Sequence, residues 1–230
     1  LVILDNNFET IVDAISEGRR IVDNIRKVLV YLLSGTLDEL ILIGGSLLMG
    51  LSLPISALQI LWINFFADSF PAVSLAFENR GGYLDRPPVS IKNNLIDRKM
   101  RALILMISTI GSSLLLFFYA YLIRNGYDPE FARTFIFASL SIYMLFLVFS
   151  IKSLDESIFK YNPFSNPYAV VGVLIGVILT IFAIYLPSLQ TILGTVPLSA
   201  TSALGVLLVA MLNISIVEVG KMLFSNKRGN

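Results

Sequence analysis

"VLVYLLSGTLDELILIGGSLLMGL", Val28 to Leu51, is long enough to cross a bilayer, whose hydrocarbon core takes about 20 apolar residues in helical form. Just upstream, Ile11, Val12, Ile15, Val22, Ile25 and Leu29 recur at three- and four-residue spacing, with Glu17, Arg19, Arg20 and Arg26 between them. That period belongs to an amphipathic helix in water, and no breaker separates it from the apolar run. A helix that is wet at one end and apolar at the other is a stalk rising out of a membrane. The expected fold class is therefore an all-α membrane protein, its transmembrane helices preceded by an amphipathic cytoplasmic stalk helix.

Composition agrees. Of 230 residues, 56% are hydrophobic and 14% charged, and the mean hydropathy is +0.79, whereas soluble domains average about 25% charged residues. Further apolar segments at approximately Ile55–Phe77, Ala102–Ile123, Phe131–Ile151, Tyr168–Leu186 and Leu198–Val217 bring the expected spans to six. Breaks at Pro54, Glu78–Arg101, "RNGYDPE", "DESIFKYNPFSNP" and between Pro187 and Pro197 separate them. Six spans put both ends on one side. Of the 17 basic residues only Arg124 and Arg133 fall on the other side, so the positive-inside rule predicts that both ends are cytoplasmic. A net charge of +1 gives no reason to expect nucleic acid as a partner. The chain has no cysteine and no histidine, which removes disulfides and the usual ligands for copper, zinc or haem. What remains for an ion is oxygen, suited to hard cations.

The opening "LVILDNNFE" is not a signal peptide. "LVIL" is a short β-like run and "DNN" a turn and helix-cap pattern, so the chain is expected to be the C-terminal piece of a longer protein. Residues 1–27 would close a preceding domain and form the stalk, and residues 28–230 would form a six-span membrane domain.

The polar residues inside the spans carry the chemistry. The first run holds Thr36, Asp38 and Glu39; the second, "QILWINFFADSFPAV" from Gln59 to Val73, holds Asn64 and Asp68. Asn64 and Asp68 stand one turn apart on one face, as do Thr36 and Glu39 at three-residue spacing, while Asp38 points about 100° away from Glu39. A carboxylate at the bilayer centre costs roughly 2.5–3.5 kcal/mol on insertion scales, so it usually has a task. Pro71 has no N–H for the Ala67 carbonyl, which frees a carbonyl beside Asp68. Irregular backbone at that depth survives only where protein or a watery cavity supplies partners. Carboxylates, an amide, a hydroxyl and a carbonyl together make a ligand set for a hard cation. The competing reading, structural hydrogen bonds between helices, weighs evenly for Thr36 and Asn64 and loses for Glu39 and Asp68; the role of Asp38 stays open. Ser108, Ser112 and Ser113 with Gly111 read as small-residue helix packing. Tyr143, Asn213 and Glu218 read as packing or interfacial groups, with Glu218 free to snorkel.

These residues also carry a resemblance. "LVILDNNFETIVDAISEGRRIVDNIRK" resembles the end of the phosphorylation domain and the stalk of P-type cation-transporting ATPases. "LPISALQILWINFFADSFPAVSLAFE" with "DRPP" resembles the membrane hairpin and cytoplasmic loop that follow. Six spans after the phosphorylation domain look like the calcium and sodium/potassium pump branches; heavy-metal pumps have two. By position, Glu39, Asn64 and Asp68 match cation ligands of calcium-pump relatives. Asn64 and Asp68 would serve a site shared with a preceding hairpin, and Glu39 a second site. Thr36 stands where two-site calcium pumps have asparagine, Ala67 where they have threonine, Ser69 where they have glycine, and Tyr143 where they have glutamate. The resemblance implies an ATP-driven pump for a hard cation, Ca²⁺ first. Na⁺/K⁺ or H⁺ pumping is the alternative within the family, and a carboxylate-based secondary transporter or channel the alternative outside it. Thr36 and the Ala67 carbonyl join the implied ligand set, and Ile21, Pro71, Asp85 and Arg86 are the implied coupling positions. Mg²⁺ and ATP would act in the full-length protein, because no DKTGT or TGES-type motif occurs in these residues. The implied partners are the lipid bilayer, that of the cell membrane, and an N-terminal portion with actuator, nucleotide-binding and phosphorylation domains and the first four spans.

Overall fold

The structure, a computed structural model, describes residues 8–79, 81–84 and 95–226. Helix α1 runs unbroken from Phe8 to Leu48, 41 residues. At 1.5 Å per residue that is about 60 Å, roughly twice the hydrocarbon thickness. Stalk and first span are thus a single element. It stops where Gly50 takes φ +69°, a conformation glycine adopts without cost. The Leu51 amide then returns to the Ser46 carbonyl at 2.9 Å and the Gly50 amide to Leu47 at 3.0 Å, closing the helix end.

The second span is compound. Ser56 and Gln59 form a reciprocal capping box at the start of α2, Ala57–Trp62. A π-helical turn, Ile63–Asp68, follows, and α3, Ser69–Ala76, completes the crossing. Helix α4, Arg98–Arg124, is capped by Asp97. Helix α5, Pro129–Ile151, is capped by Asp128, and α6, Pro167–Tyr185, by Asn166. Both α5 and α6 begin with proline, whose fixed φ suits a first helical position. The short α7, Pro187–Leu193, ends at Gly194 with φ 64°. The last helix, α8, is Ala200–Asn226.

Among the described residues six helical segments, the compound Ala57–Ala76 counted as one, are long and apolar enough to cross a membrane, as the sequence predicts, and no strand occurs there. The β-like run Leu1–Leu4 lies outside them. Helix α7 differs from the expectation of a bare break: Pro187 starts a helix there instead of only stopping one.

Helix α5 is the axis of the bundle. In its membrane window 94% of residues are buried, against 28% to 44% in the other spans. It touches α1, α3, α4, α6, α8 and the π-helical turn. Its hydroxyl-bearing residues Thr134, Ser139, Ser141, Tyr143 and Ser150 are buried along with its apolar ones, as befits a helix surrounded by others. The outer helices turn Leu61, Phe117, Leu174 and Leu208 outward, the surface a bilayer covers.

Candidate cation site

The π-helical turn sets the geometry of the second span. Pro71, buried in α3, leaves the Ala67 carbonyl without its usual α-helical donor. The freed carbonyl appears as expected, but it is not open: Tyr31 Oη of α1 donates to it at 3.3 Å and to the Met144 carbonyl at 3.0 Å. Ser69 Oγ donates to the Asn64 carbonyl at 2.9 Å. Hydroxyls thus satisfy backbone groups that the wider turn and the proline expose, as backbone at membrane depth requires.

Against this turn α1 brings Glu39. Asn64 Nδ2 donates to both Glu39 carboxylate oxygens, at 3.0 and 3.2 Å, and to the Ile60 carbonyl at 2.9 Å. Glu39 is 7% exposed, whereas Asn64 reaches it from an exposed position. Asp68 is 2% exposed, and its Oδ1 has no hydrogen-bond partner. Its Oδ2 lies over Gly35: a Cβ at that glycine would stand 3.2 Å from the oxygen and 2.6 Å from Met144 Cε. Glycine at 35 thus lets α1 approach the π-helical turn without displacing the end of Met144 or pressing on Asp68. Among the described residues no three acidic side chains gather closely enough to hold a metal ion on their own, so an ion here would draw on neutral oxygens as well.

The remaining predicted positions divide. Thr36 is exposed, and its Oγ1 donates to the Leu32 carbonyl of its own helix at 3.0 Å, so the structure does not bring it to Glu39. Asp38 is fully buried, with both oxygens unpartnered. Ile21 is 50% exposed on the stalk. Asp85 and Arg86 lie outside the described residues. Glu218 does not snorkel: it is 1% exposed and accepts from Ser150 Oγ, from Ser157 Oγ at 2.7 Å, from the Ile158 amide at 2.8 Å and from Lys221 Nζ at 3.0 Å. Sequence reasoning missed Tyr31 and Gly35 as neighbours of Asp68.

At the stalk end, α1 is tied to both following spans. Asn24 Nδ2 donates to the carbonyls of Ala76, the last residue of α3, at 3.0 Å and of Glu78, two residues on, at 2.8 Å. Arg19 reaches the Tyr83 and Leu84 carbonyls at 3.1 and 3.2 Å, so this part of the expected solvated loop is anchored. Arg26 pairs with Asp97, the cap of α4. Burial pushes the Asp97 carboxyl up, but the Met100 amide and the Arg26 guanidinium outweigh it and hold the group below the usual carboxylate range.

The family described as "Cation transporting ATPase, C-terminus" matches residues 52–223. The chain belongs to this family of cation-transporting ATPases. The "Calcium-transporting ATPase" of Bacillus subtilis is 36% identical over 201 residues, covering 86% of this chain and 22% of that protein. "Calcium-transporting ATPase 1" of Bacillus cereus is 31% identical over 98% of this chain and 27% of its own length. "Calcium-transporting ATPase type 2C member 2" of Mus musculus is 33% identical over 89% of this chain. The chain thus spans between 22% and 27% of the length of these ATPases, and corresponds to their C-terminal, multi-pass membrane part.

Proposed function

We propose that this chain is the ion-carrying membrane domain of an ATP-driven calcium pump, with Glu39, Asn64, Asp68 and the Ala67 carbonyl as its share of the ligands. The observation that carries the reading is the Glu39–Asn64 pairing across α1 and the π-helical turn, with buried Asp68 one turn farther on. Asn64 offers its nitrogen to Glu39 here, and an amide nitrogen is a donor only. To ligate a cation the amide turns over and offers Oδ1, so ion binding replaces the Asn64–Glu39 bond. Two carboxylates with neutral oxygens suit a cation that takes six to eight oxygens at about 2.3–2.6 Å, which describes Ca²⁺ better than Mg²⁺. Thr36, turned to its own helix, and Tyr143 in place of a carboxylate favour one ion per cycle. The exposed position of Asn64 faces the spans proposed upstream. Both ends of the chain are proposed to be cytoplasmic in the cell membrane, with phosphorylation upstream moving α1.

The test uses the full-length protein. Asp68→Asn should abolish Ca²⁺-dependent phosphorylation by ATP and leave phosphorylation by inorganic phosphate largely intact; retained Ca²⁺ affinity sinks the ligand assignment. Activation of the wild type by micromolar free Ca²⁺ supports the ion, whereas activation by Na⁺ with Ca²⁺ chelated overturns it.

A further inference from the structure

At the end opposite the stalk, α1 stops at Leu48 while its neighbour α4 runs on to Arg124. The two helices touch below that point: a Cβ at Gly45 would stand 2.6 Å from Leu116 Cδ2. One turn farther along α4, Tyr119 Oη lies 2.6 Å from Ser52 Oγ and 3.2 Å from the Leu53 carbonyl, in the connection to α2. The chain has thus turned away level with Tyr119, and the last turn of α4 continues without α1 beside it. A groove of about 440 Å³ results, with Met49 on one side and Ser113, Leu116, Phe117, Ala120, Tyr121 and Arg124 on the other. That volume falls within the range of small-molecule sites. The α4 residues recur at three- and four-residue spacing, so they form a single stripe. From Ser113 to Arg124 the stripe rises about 16 Å, close to half of the roughly 30 Å hydrocarbon thickness. The groove is therefore one leaflet deep. Phe117 and Tyr121 are 62% and 52% exposed, so its apolar wall is uncovered by the described residues.

Arg124 stands at the mouth, exposed and in the last turn of α4. A cation there commonly serves the final carbonyls of its helix, but these are already taken. The Tyr121, Leu122 and Ile123 carbonyls accept from the amides of Asn125 at 3.1 Å, Tyr127 at 3.1 Å and Gly126 at 3.2 Å. Asn125 Nδ2 gives Tyr121 a second bond at 2.8 Å. Among the described residues no ion pair or hydrogen bond engages the Arg124 guanidinium, and none of the residues lining the groove is acidic. A guanidinium fits phosphate bidentately, and the end of an apolar span lies at the level of the lipid headgroups. A zwitterionic headgroup would bring its ammonium to a rim that offers no carboxylate. We propose that the groove holds one acyl chain of an anionic phospholipid, with the phosphate on Arg124.

The experiment uses the full-length protein, purified and delipidated in detergent. The probe is phosphatidylglycerol with a diazirine at the end of one acyl chain; after irradiation the labelled peptides are mapped by mass spectrometry. Label should saturate on residues 113–121. Unlabelled phosphatidylglycerol should displace it at roughly tenfold lower concentration than phosphatidylcholine does. Arg124→Gln should weaken phosphatidylglycerol roughly tenfold and erase that preference. Ser113→Trp, placed at the exposed foot of the groove, fills it and should abolish the label. Absence of label on residues 113–121, the outcome if the spans proposed upstream cover the groove, overturns the proposal. Label that no unlabelled lipid displaces marks ordinary boundary lipid and overturns it too. Equal displacement by the two phospholipids, or binding unchanged in Arg124→Gln, does the same. Oleate displacing as well as phosphatidylglycerol makes the occupant a fatty acid and overturns the phospholipid. Should Ser113→Trp fail to fold, the surface variant Arg124→Gln decides alone.

Discussion

Gly35 and Tyr31 decide how closely Asp68 is held, one by having no side chain and the other by its hydroxyl. Any Cβ at 35 meets Met144 Cε and Asp68 Oδ2. Gly35→Val should therefore overpack the site at a cost of about 1–3 kcal/mol, lowering the thermal midpoint and shifting Ca²⁺ activation of phosphorylation to higher concentration. Unchanged values for both would mean that the pocket relaxes around the added carbons. Tyr31→Phe removes the donor to the Ala67 carbonyl, and an orphaned buried acceptor costs about 1–3 kcal/mol; a thermal scan of the purified protein checks the loss. Glu39 and Asp68 stood out in the sequence because a carboxylate in an apolar run needs a reason, and the structure brings Glu39 against Asn64. Gly35 did not, since a glycine's role depends on what stands opposite it. Pro71 announced a freed carbonyl without saying which hydroxyl takes it. Thr36 bonds the Leu32 carbonyl because three-residue spacing leaves it about 60° from Glu39, and a short hydroxyl readily bonds its own helix.

At the scale of elements, α1 is one continuous helix, with both the chemistry at its stalk end and the ion ligand in its membrane half being proposals. Ile21 is half exposed, so replacing it removes little packing, while proline in a helix interior costs about 3 kcal/mol through the backbone. Ile21→Pro in the full-length protein should leave phosphorylation possible and slow transport; normal transport would show that the stalk does not carry the motion. The Arg26–Asp97 pair ties α1 to the start of α4. Asp97 is held below its ordinary range when folded, so its contribution is present above that range and disappears as the pH falls through the folded value. Amide exchange in the first turn of α4 should accelerate over that acid interval, and Asp97→Asn should flatten the dependence. The long helices were legible from periodicity and breakers. The π-helical turn was not, because one extra residue is invisible to a window of 11 to 18 positions. Helix α7 was hidden by reading Pro187 as a stop alone.

Across the whole molecule, the central place of α5 was also unreadable. Its mean hydropathy of 2.2 lies between the 2.5 of α6 and the 2.1 of α8, yet only α5 is enclosed. Hydropathy measures compatibility with lipid and cannot tell lipid from neighbouring helices as the surroundings. The stalk stripe was read correctly as apolar, and Phe8, Ile15 and Ile25 are 76%, 48% and 44% exposed, surface that the proposed upstream domains would cover. The absence of cysteine from this chain makes its orientation testable. In a full-length version freed of other cysteines, Asn125→Cys should react with an impermeant maleimide in intact cells. Phe159→Cys should react only after permeabilisation. The reverse pattern would invert the proposed topology.

The π-helical turn Ile63–Asp68 also has a genetic side. A π turn holds one residue more than an α-helix of the same reach, as though a codon had been inserted into an ordinary span. Loss of the Phe65, Phe66 or Ala67 codon would leave a continuous apolar helix that still crosses the bilayer with the residues beyond it nearly in phase, while Asn64 and Asp68 would stand three residues apart and lose their one-turn relation. Such an allele would be inserted, folded and inherited as a membrane protein, with its amide and carboxylate out of register. Reading-frame-preserving deletions in this six-codon stretch should therefore be far more damaging to ion handling than to protein abundance.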